Sequence, residues 1–387
     1  MAIVSLPHRH DLCFVAPNAY GYLADRDDLR HIGGAEIQQT LLARDLARRG
    51  KRICFITHDH GQPDAIDIDG IRVFKMCGRS EGLPIVRFVH PRWTSLYSAM
   101  RRADAAIYYQ RTAGVETGQV AIWCRRHDRR MIAAIANDRD CTPSLLARLN
   151  RRERSLYLYG LRRADAVVAQ TKRQTELLQK HFGVNALLIR SCSERPLEAM
   201  EVTSVGERLN GKRALWIARF APQKRLDRLF ELANAAPDWS FDVIGGSEGD
   251  AVKHLELETR NSLPANVTFH GVQSRENVAR FYESATLLIC TSDFEGFPNT
   301  MLEAWARSLP VVSTFDPDDL IADRNLGRVG GSPHELRREM NWLIDHPDEW
   351  RACSIAAKDY FDQNHTVNAT VDAYEALMQC TEFAVKS

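Results

Sequence analysis

The fold class is decided by three consecutive pieces of sequence: LCFVAP at Leu12–Pro17, AEIQQTLLARDLARR at Ala35–Arg49 and RICFIT at Arg52–Thr57. The outer two are short apolar runs of strand length. In the middle piece Ile37, Leu41, Leu42 and Leu46 recur at helical spacing and share one face, and Gly50 ends the run. Strand, amphipathic helix and strand make a β-α-β unit, so the two strands are expected to lie parallel, joined by a right-handed crossover.

The alternation extends outward from this unit. Ala105–Tyr109, Met131–Ala136 and Ala166–Ala169 read as further strands, with helices expected over 114–127 and 143–162. The polar, aperiodic stretch Ser191–Gly211 then interrupts the pattern and reads as a linker. A second series follows, with strands at Ala214–Ala218, Phe241–Gly245, Val267–His270, Leu287–Thr291 and Val311–Ser313. Its helices are expected near 223–235, 250–262, 274–284 and 298–308, and three more from Pro333 onward. The class is therefore α/β, with two parallel-sheet domains. Such domains bind ligands at the carboxyl ends of their strands, and the cleft between two of them is the natural site.

Composition narrows the functional classes. The chain of 387 residues is 44% hydrophobic and 26% charged, as in soluble globular proteins, and its length suits two or three domains. Its nine cysteines include no C-x-x-C pair, and several sit in apolar runs, so reduced core cysteines in a cytosolic protein are expected. The first residues, MAIVSLPHRHDL, lack a long apolar core, so no signal peptide is expected, and no stretch is long enough for a spanning helix.

The net charge of +1 conceals an asymmetry. Residues 1–200 hold 32 Lys and Arg against 21 Asp and Glu; residues 201–387 hold 19 against 29. The clusters Arg48/Arg49/Lys51/Arg52, Arg125/Arg126/Arg129/Arg130 and Arg151/Arg152/Arg154 read either as solvated helix faces or as a surface toward something anionic. Phospholipid headgroups or a diphosphate-linked acceptor would suit the second reading. Nucleic acid is disfavoured, because aromatic residues are sparse among the basic ones and no nucleic-acid-binding module is present.

The densest chemistry lies in SDFEGFPNTMLEAWA, Ser292–Ala306, directly after the strand LLICT. Glu295 and Gly296 occupy the turn, and Pro298 suits a first helical turn, where its missing N–H is harmless. The amides of Asn299, Thr300 and Met301 are then expected to be free at a helix start, a ready anion site. Glu303 follows on the helix. Two carboxylates flanking free amides suit a ligand with hydroxyls at both ends and phosphates between them, as in a sugar nucleotide.

WIARFAPQK at Trp216–Lys224 places Arg219 and Lys224 in a loop after a strand, where two cations can neutralise a diphosphate. HIGGAE at His31–Glu36 sets Gly33 and Gly34 before a helix, where the backbone can approach a phosphate or simply turn tightly. No G-x-G-x-x-G follows the first strand, which weighs against a dinucleotide enzyme. The D-x-D triplets Asp67/Asp69, Asp138/Asp140 and Asp316/Asp318 read as turn aspartates, so no metal site is expected. Histidines 8, 10, 58 and 60 read as ordinary loop residues, and Trp216 and Trp305 as core.

Taken in order, these motifs resemble the family 4 retaining glycosyltransferases of the GT-B fold. The GGAE loop, R-x4-K (Arg219, Lys224), the VIGG turn (Gly245, Gly246), E-x7-E (Glu295, Glu303) and PVV at Pro310–Val312 carry the resemblance over nearly the whole chain. It implies two Rossmann-like domains facing across a cleft, residues 1–200 on the acceptor side and 205–360 on the donor side. Residues 361–387 would form a C-terminal helix crossing back to the N-terminal domain.

The resemblance also implies roles. Arg219 and Lys224 would hold the donor diphosphate, and Glu303 the ribose hydroxyls. Glu295, with the backbone of Gly296, Phe297, Pro298, Asn299 and Thr300, would hold the sugar. Gly33, Gly34, Gly245 and Gly246 would complete the donor site. A nucleoside diphosphate sugar of UDP or GDP type would be co-substrate, with no metal and no cofactor, and a hexose would pass with retention to a glycan or lipid-linked acceptor. The setting implied is cytoplasmic, at the inner face of an anionic membrane, with no nucleic acid.

Three departures stand out. Ala218 replaces a usual glycine, Arg225 replaces another, and Asn137 or Asp138 stands where relatives commonly carry a histidine near the sugar. A GT-B epimerase and a non-catalytic scaffold are the rival readings; the complete set of Arg219, Lys224, Glu295 and Glu303 weighs against the scaffold.

Overall fold

The computed structural model describes residues 9–26, 33–84, 86–196, 205–246 and 263–380. His8, His31, Ser247 and the helix expected near 250–262 lie outside these residues. The chain divides into two compact units. One comprises the described residues through Arg190 together with those from Thr370 onward; the other is Ser191–Ala369.

The first unit is built on an eight-stranded sheet. In chain order the strands are β1 (His10–Val15), β2 (Ile53–Thr57), β3 (Ile66–Ile68), β4 (Ile71–Lys75), β5 (Ala105–Arg111), β6 (Arg130–Ala134), β7 (Ala166–Ala169) and β8 (Leu187–Leu188). They lie in the order β3-β4-β2-β1-β5-β6-β7-β8. All pairs are parallel except the β3–β4 hairpin at the edge. Leu12 faces Ile53 on one side and Ile107 on the other. β2 and β7 are buried throughout, which is why such strands read as unbroken apolar runs.

The initial β-α-β unit forms as expected, with its helix at Gly34–Arg48. The single helix expected over 143–162 is instead two, Pro143–Arg148 and Arg151–Arg163. Asn150 causes the break. Its side-chain carbonyl accepts the Glu153 amide at 3.0 Å, and the Glu153 carboxylate accepts the Asn150 amide at 3.1 Å, so a fresh helix starts there.

The second unit carries β9 (Arg213–Ile217), β10 (Ser240–Ile244), β11 (Val267–Gly271), β12 (Leu287–Cys290), β13 (Val311–Ser313) and β14 (Gly327–Val329). All are parallel, in the order β11-β10-β9-β12-β13-β14. From β9 the chain winds outward one way to β10 and β11, then returns to the other side of β9 with β12. Parallel sheets open a crevice at such a reversal, outside the carboxyl ends of the two strands. Here the loops after β9 and β12 border it.

The closing helix, Val367–Gln379, takes the chain back to the first unit at Thr370. There the Tyr374 ring packs edge-on to Tyr109, Arg49 pairs with Asp372 and Glu375, and Arg130 donates to the carbonyl oxygens of Met378 and Cys380. Of the nine cysteines, eight are buried and none is bonded to another. Trp216 and Trp305 are core residues.

Gly245 fixes the loop after β9. Its φ of +145° is in the glycine region, and a Cβ there would sit 1.8 Å from the Ala218 carbonyl oxygen. Gly245→Ala is expected to destabilise the protein by about 3 kcal/mol. Thermal unfolding reads this directly, and an unchanged midpoint would show that the two loops can part without loss.

Candidate functional site

The two cationic and acidic motifs of the second unit meet at the β9–β12 crevice. After β9 the chain runs through Arg219 to a single tight turn, Pro222–Lys224, and enters the helix Leu226–Ala235. After β12 it runs through Ser292 and Glu295 into the helix Asn299–Trp305. The loops are stitched together. The Thr291 hydroxyl donates to the Lys224 carbonyl at 2.7 Å and accepts the Trp216 indole N–H at 2.9 Å. The Asp293 amide donates to the Gln223 carbonyl at 2.9 Å.

Within this frame the Lys224 ammonium pairs with the Glu295 carboxylate, which also accepts the Ser292 hydroxyl at 2.6 Å. Glu295 is buried. A charge pair held out of water is strongly coupled, and removing either partner leaves the other buried and uncompensated. Arg219 is half-buried, and among the described residues no carboxylate pairs with it. It remains available to an anion.

Arg225 has φ +52° and ψ 55°, the left-handed region. That conformation accounts for glycine being usual there in the resembling family. Here the arginine side chain is tied down by Asp227 and Asp293, and Arg228 holds Asp293 from the other side at 2.9 Å.

The helix start departs from expectation in one respect. Met301 does not have a free amide: it donates to the Pro298 carbonyl at 3.1 Å, because Pro298 sits one position before the helix and its carbonyl closes a tight first turn. The Thr300 amide takes no backbone acceptor among the described residues, and neither do those of Gly296 and Phe297. Gly296 and Phe297 are buried, so these amides are unusual and await an acceptor. The Phe297 ring is anchored in the core against Trp305 and His365. Gly245 donates its amide to Gly271 at 2.9 Å, and the Gly246 carbonyl accepts from Phe220 at 2.8 Å, so both glycines shape the crevice wall through their backbone.

Glu303 has a partner that spacing did not reveal. The hydroxyl of Tyr282, a fully buried residue, donates to its carboxylate at 2.8 Å and also reaches the Thr300 carbonyl at 3.2 Å. Arg307 braces the pair, donating to the Glu303 carbonyl at 3.0 Å and lying over the Tyr282 ring. Burial pushes the Glu303 carboxyl above its ordinary range; the Tyr282 hydrogen bond and the Arg307 charge pull it back.

In the first unit, Gly33 precedes the 15-residue helix Gly34–Arg48, and its amide points to the Tyr22 hydroxyl at 3.4 Å. Asn137 and Asp138 follow β6. The Asn137 side chain caps the next turn by accepting the Arg139 amide at 2.9 Å. Asp138 accepts from Gln174 at 3.0 Å and faces Arg173 at 3.6 Å. Asp140 accepts the amides of Ala136 and Asn137, and burial pushes its carboxyl up to about 6.

The leading aspartates of the other two D-x-D triplets hold turns. Asp67 accepts the Gly70 amide at 3.0 Å, and Asp316 accepts those of Ile321 and Ala322. Among the described residues no group of three His, Cys, Asp or Glu is placed to hold a metal ion. Thr291, Ser292, Asp293, Arg228 and Tyr282 are the site residues that sequence reading missed. Ser292 and Asp293 lay inside the quoted motif, and Thr291 closed the strand before it.

Comparison with known proteins places these features in context. The family described as Glycosyl transferases group 1 matches residues 201–360, and that described as Glycosyltransferase Family 4 matches residues 32–191. A lipopolysaccharide 1,6-galactosyltransferase of Salmonella typhimurium is 34% identical over 110 residues, 27% of this chain and 30% of that protein. A D-inositol 3-phosphate glycosyltransferase of Mycolicibacterium gilvum is 28% identical over 183 residues, 41% of this chain and 38% of the relative. The chain thus spans less than half the length of each of these two relatives. Among solved structures, Anabaena HepE in complex with UDP-glucose superposes with a TM-score of 0.72 at 16% identity, covering 96% of this chain and all of that one.

The Tyr282–Glu303 bond makes a measurable prediction. Loss of a hydroxyl that favours the carboxylate should raise the Glu303 pKa further in Tyr282→Phe, read by carboxyl carbon NMR. Because a raised folded pKa favours the protonated fold, the stability contributed by Glu303 declines as pH climbs from the ordinary glutamate value through the raised one. A Glu303 titration that stays put in Tyr282→Phe would show that the hydroxyl does not serve the carboxylate.

Proposed function

Because the chain belongs to the group 1 glycosyl transferases and has the GT-B fold, we propose that it is a retaining transferase moving a hexose-type sugar from a nucleoside diphosphate sugar to a glycan or lipid-linked acceptor. The observation that carries this reading is the meeting of Lys224 and Glu295 at the β9–β12 crevice, in a loop pair that also holds Arg219, which no carboxylate among the described residues neutralises.

In this reading Arg219 and Lys224 bind the donor diphosphate and stabilise its charge as the sugar–phosphate bond breaks. The unclaimed amides of Gly296, Phe297 and Thr300 add neutral donors along the sugar and phosphate. Glu295, fixed by Lys224 and Ser292, accepts from sugar hydroxyls, and Glu303, oriented by Tyr282, accepts from the ribose. Two fixed cations do the work that a divalent ion does elsewhere, so the reaction is read as metal-independent. Retention follows if the acceptor attacks from the face the diphosphate leaves, with the phosphate taking the acceptor proton. The first unit is assigned the acceptor, with the loop of Asn137 and Asp138 as its candidate residues.

The donor is read as UDP or GDP type, and UDP-glucose in Anabaena HepE supports that class. The Salmonella relative acts in lipopolysaccharide synthesis by its name, which supports a cell-surface polysaccharide or glycoconjugate product. Work at the cytoplasmic face of a membrane fits such an acceptor. No helix among the described residues is long and apolar enough to cross one.

A panel of sugar nucleotides identifies the donor by slow hydrolysis. With that donor, Lys224→Ala should lower kcat/KM by about two to three orders of magnitude. Glu303→Ala should weaken nucleotide binding by roughly tenfold. Wild-type rates in Lys224→Ala would falsify the assignment, a β-linked product from an α-linked donor would exclude retention, and inhibition by EDTA would exclude metal independence.

A further inference from the structure

The first unit carries an apolar, arginine-rimmed patch to which the proposed transferase chemistry gives no role. Leu83, Val86 and Val89 are 72%, 51% and 59% exposed. They are three of the eight large hydrophobic residues exposed among the described residues, and they fall within seven positions of one another. Beside them Gly82, at φ +91°, packs so closely on Pro91 that a Cβ would meet the ring at 2.3 Å.

Val89 also lines a trough of about 450 Å³ with Trp93, Thr94, Tyr97, Ser98, Arg101 and Trp123. Trp93, Tyr97 and Trp123 stack edge to face in series, at centroid distances of 5.8 and 5.1 Å, and Phe88 packs edge-on to Trp93 at 5.4 Å. The Trp123 indole N–H is buried and has no hydrogen-bond partner among the described residues.

Arginines gather around this patch. Arg101 lines the trough, the Arg152 guanidinium lies 3.5 Å over the Phe88 ring, Arg87 stands between the exposed valines, and the charge of Arg126 acts on the Tyr97 phenol. None of these four arginines has a carboxylate partner among the described residues. Of the neighbouring acids, Glu81 caps the Gly78 amide at 2.8 Å and Glu153 the Asn150 amide at 3.1 Å, so each carboxylate already serves a turn or a helix start.

We propose that Leu83, Val86 and Val89, with the Trp93/Tyr97/Trp123 trough, form a docking surface for an anionic phospholipid bilayer. The aliphatic side chains enter the headgroup–acyl boundary, the aromatic rings sit at headgroup depth and the arginines meet lipid phosphates. Each group is suited to its level. Aliphatic side chains gain by leaving water, Trp and Tyr carry an apolar body with a polar tip, and unpaired guanidinium groups gain from an anionic surface without first breaking an ion pair.

This deepens the membrane part of the proposed function and locates it. It is separable from that reading, since donor hydrolysis in solution needs no membrane.

The test is co-sedimentation of the full chain with phosphatidylcholine vesicles, and with vesicles of phosphatidylcholine and phosphatidylglycerol in two-to-one ratio. Binding to the mixed vesicles, weakened by salt and much lower on phosphatidylcholine alone, is the expected result. Arg101→Gln with Arg126→Gln should reduce partitioning by roughly fivefold per arginine. Val86→Ser with Val89→Ser should reduce it by at least a similar factor. Both double variants should keep the parent's thermal midpoint and its rate of sugar-nucleotide hydrolysis. Failure to bind mixed vesicles, or binding that neither double variant alters, overturns the proposal while leaving the transferase reading intact if hydrolysis persists.

Discussion

The second unit is governed by a constraint on how parallel strands can be connected. Each crossover must return to the same end of the sheet, so every loop that leaves a strand's carboxyl end lies along one edge. Where the winding direction reverses, at β9, the two neighbouring loops diverge and leave a crevice. Arg219 and Lys224 belong to one of these loops and Ser292 through Pro298 to the other. Some seventy residues separate them in sequence, yet no further device is needed to bring them together.

What the topology brings near, hydrogen bonds then fix. Thr291 is the stitch, taking the Trp216 indole N–H on one side and giving its own proton to the Lys224 carbonyl on the other. Arg225 accepts a backbone conformation that favours glycine, and its guanidinium is shared between Asp227 and Asp293. The result is a site whose charged groups are set before any ligand arrives. A preset arrangement needs little reorganisation as charge develops during reaction, which is the condition under which fixed charges and dipoles act most strongly.

Much of this was legible in the residues, for identifiable reasons. Strands buried on both faces, such as β2 and β7, must be apolar throughout, and they were found. The helix Gly34–Arg48 buries one stripe and shows its period. The edge hairpin β3–β4 was overlooked although Asp69-Gly70 is a turn signal, because its first strand, Ile66–Ile68, is only three residues long and shows too little alternation to read. The broken helix after Pro143 was overlooked because its Asn150-x-x-Glu153 signature lies inside a continuous run of helix-forming residues. Glu295 and Glu303 announced themselves by spacing. Tyr282 could not, since it reaches Glu303 from another helix and a tyrosine in an amphipathic run reads as core. Asn137 and Asp138 were placed at the end of β6 correctly, but position alone did not disclose that their side chains serve the turn that follows.

The return of the last helix has a consequence for biosynthesis. All eight strands of the first sheet have left the ribosome once residue 188 is clear, but the helix that packs on Tyr109 and pairs with Arg49 and Arg130 begins joining it only at Thr370. At typical elongation rates the interval is roughly 10–40 s. The second unit is continuous in sequence and can close on itself within that time. The half made first is therefore finished last, and a nascent chain stalled anywhere in the second unit would display an incomplete first unit to the cell's folding and degradation machinery.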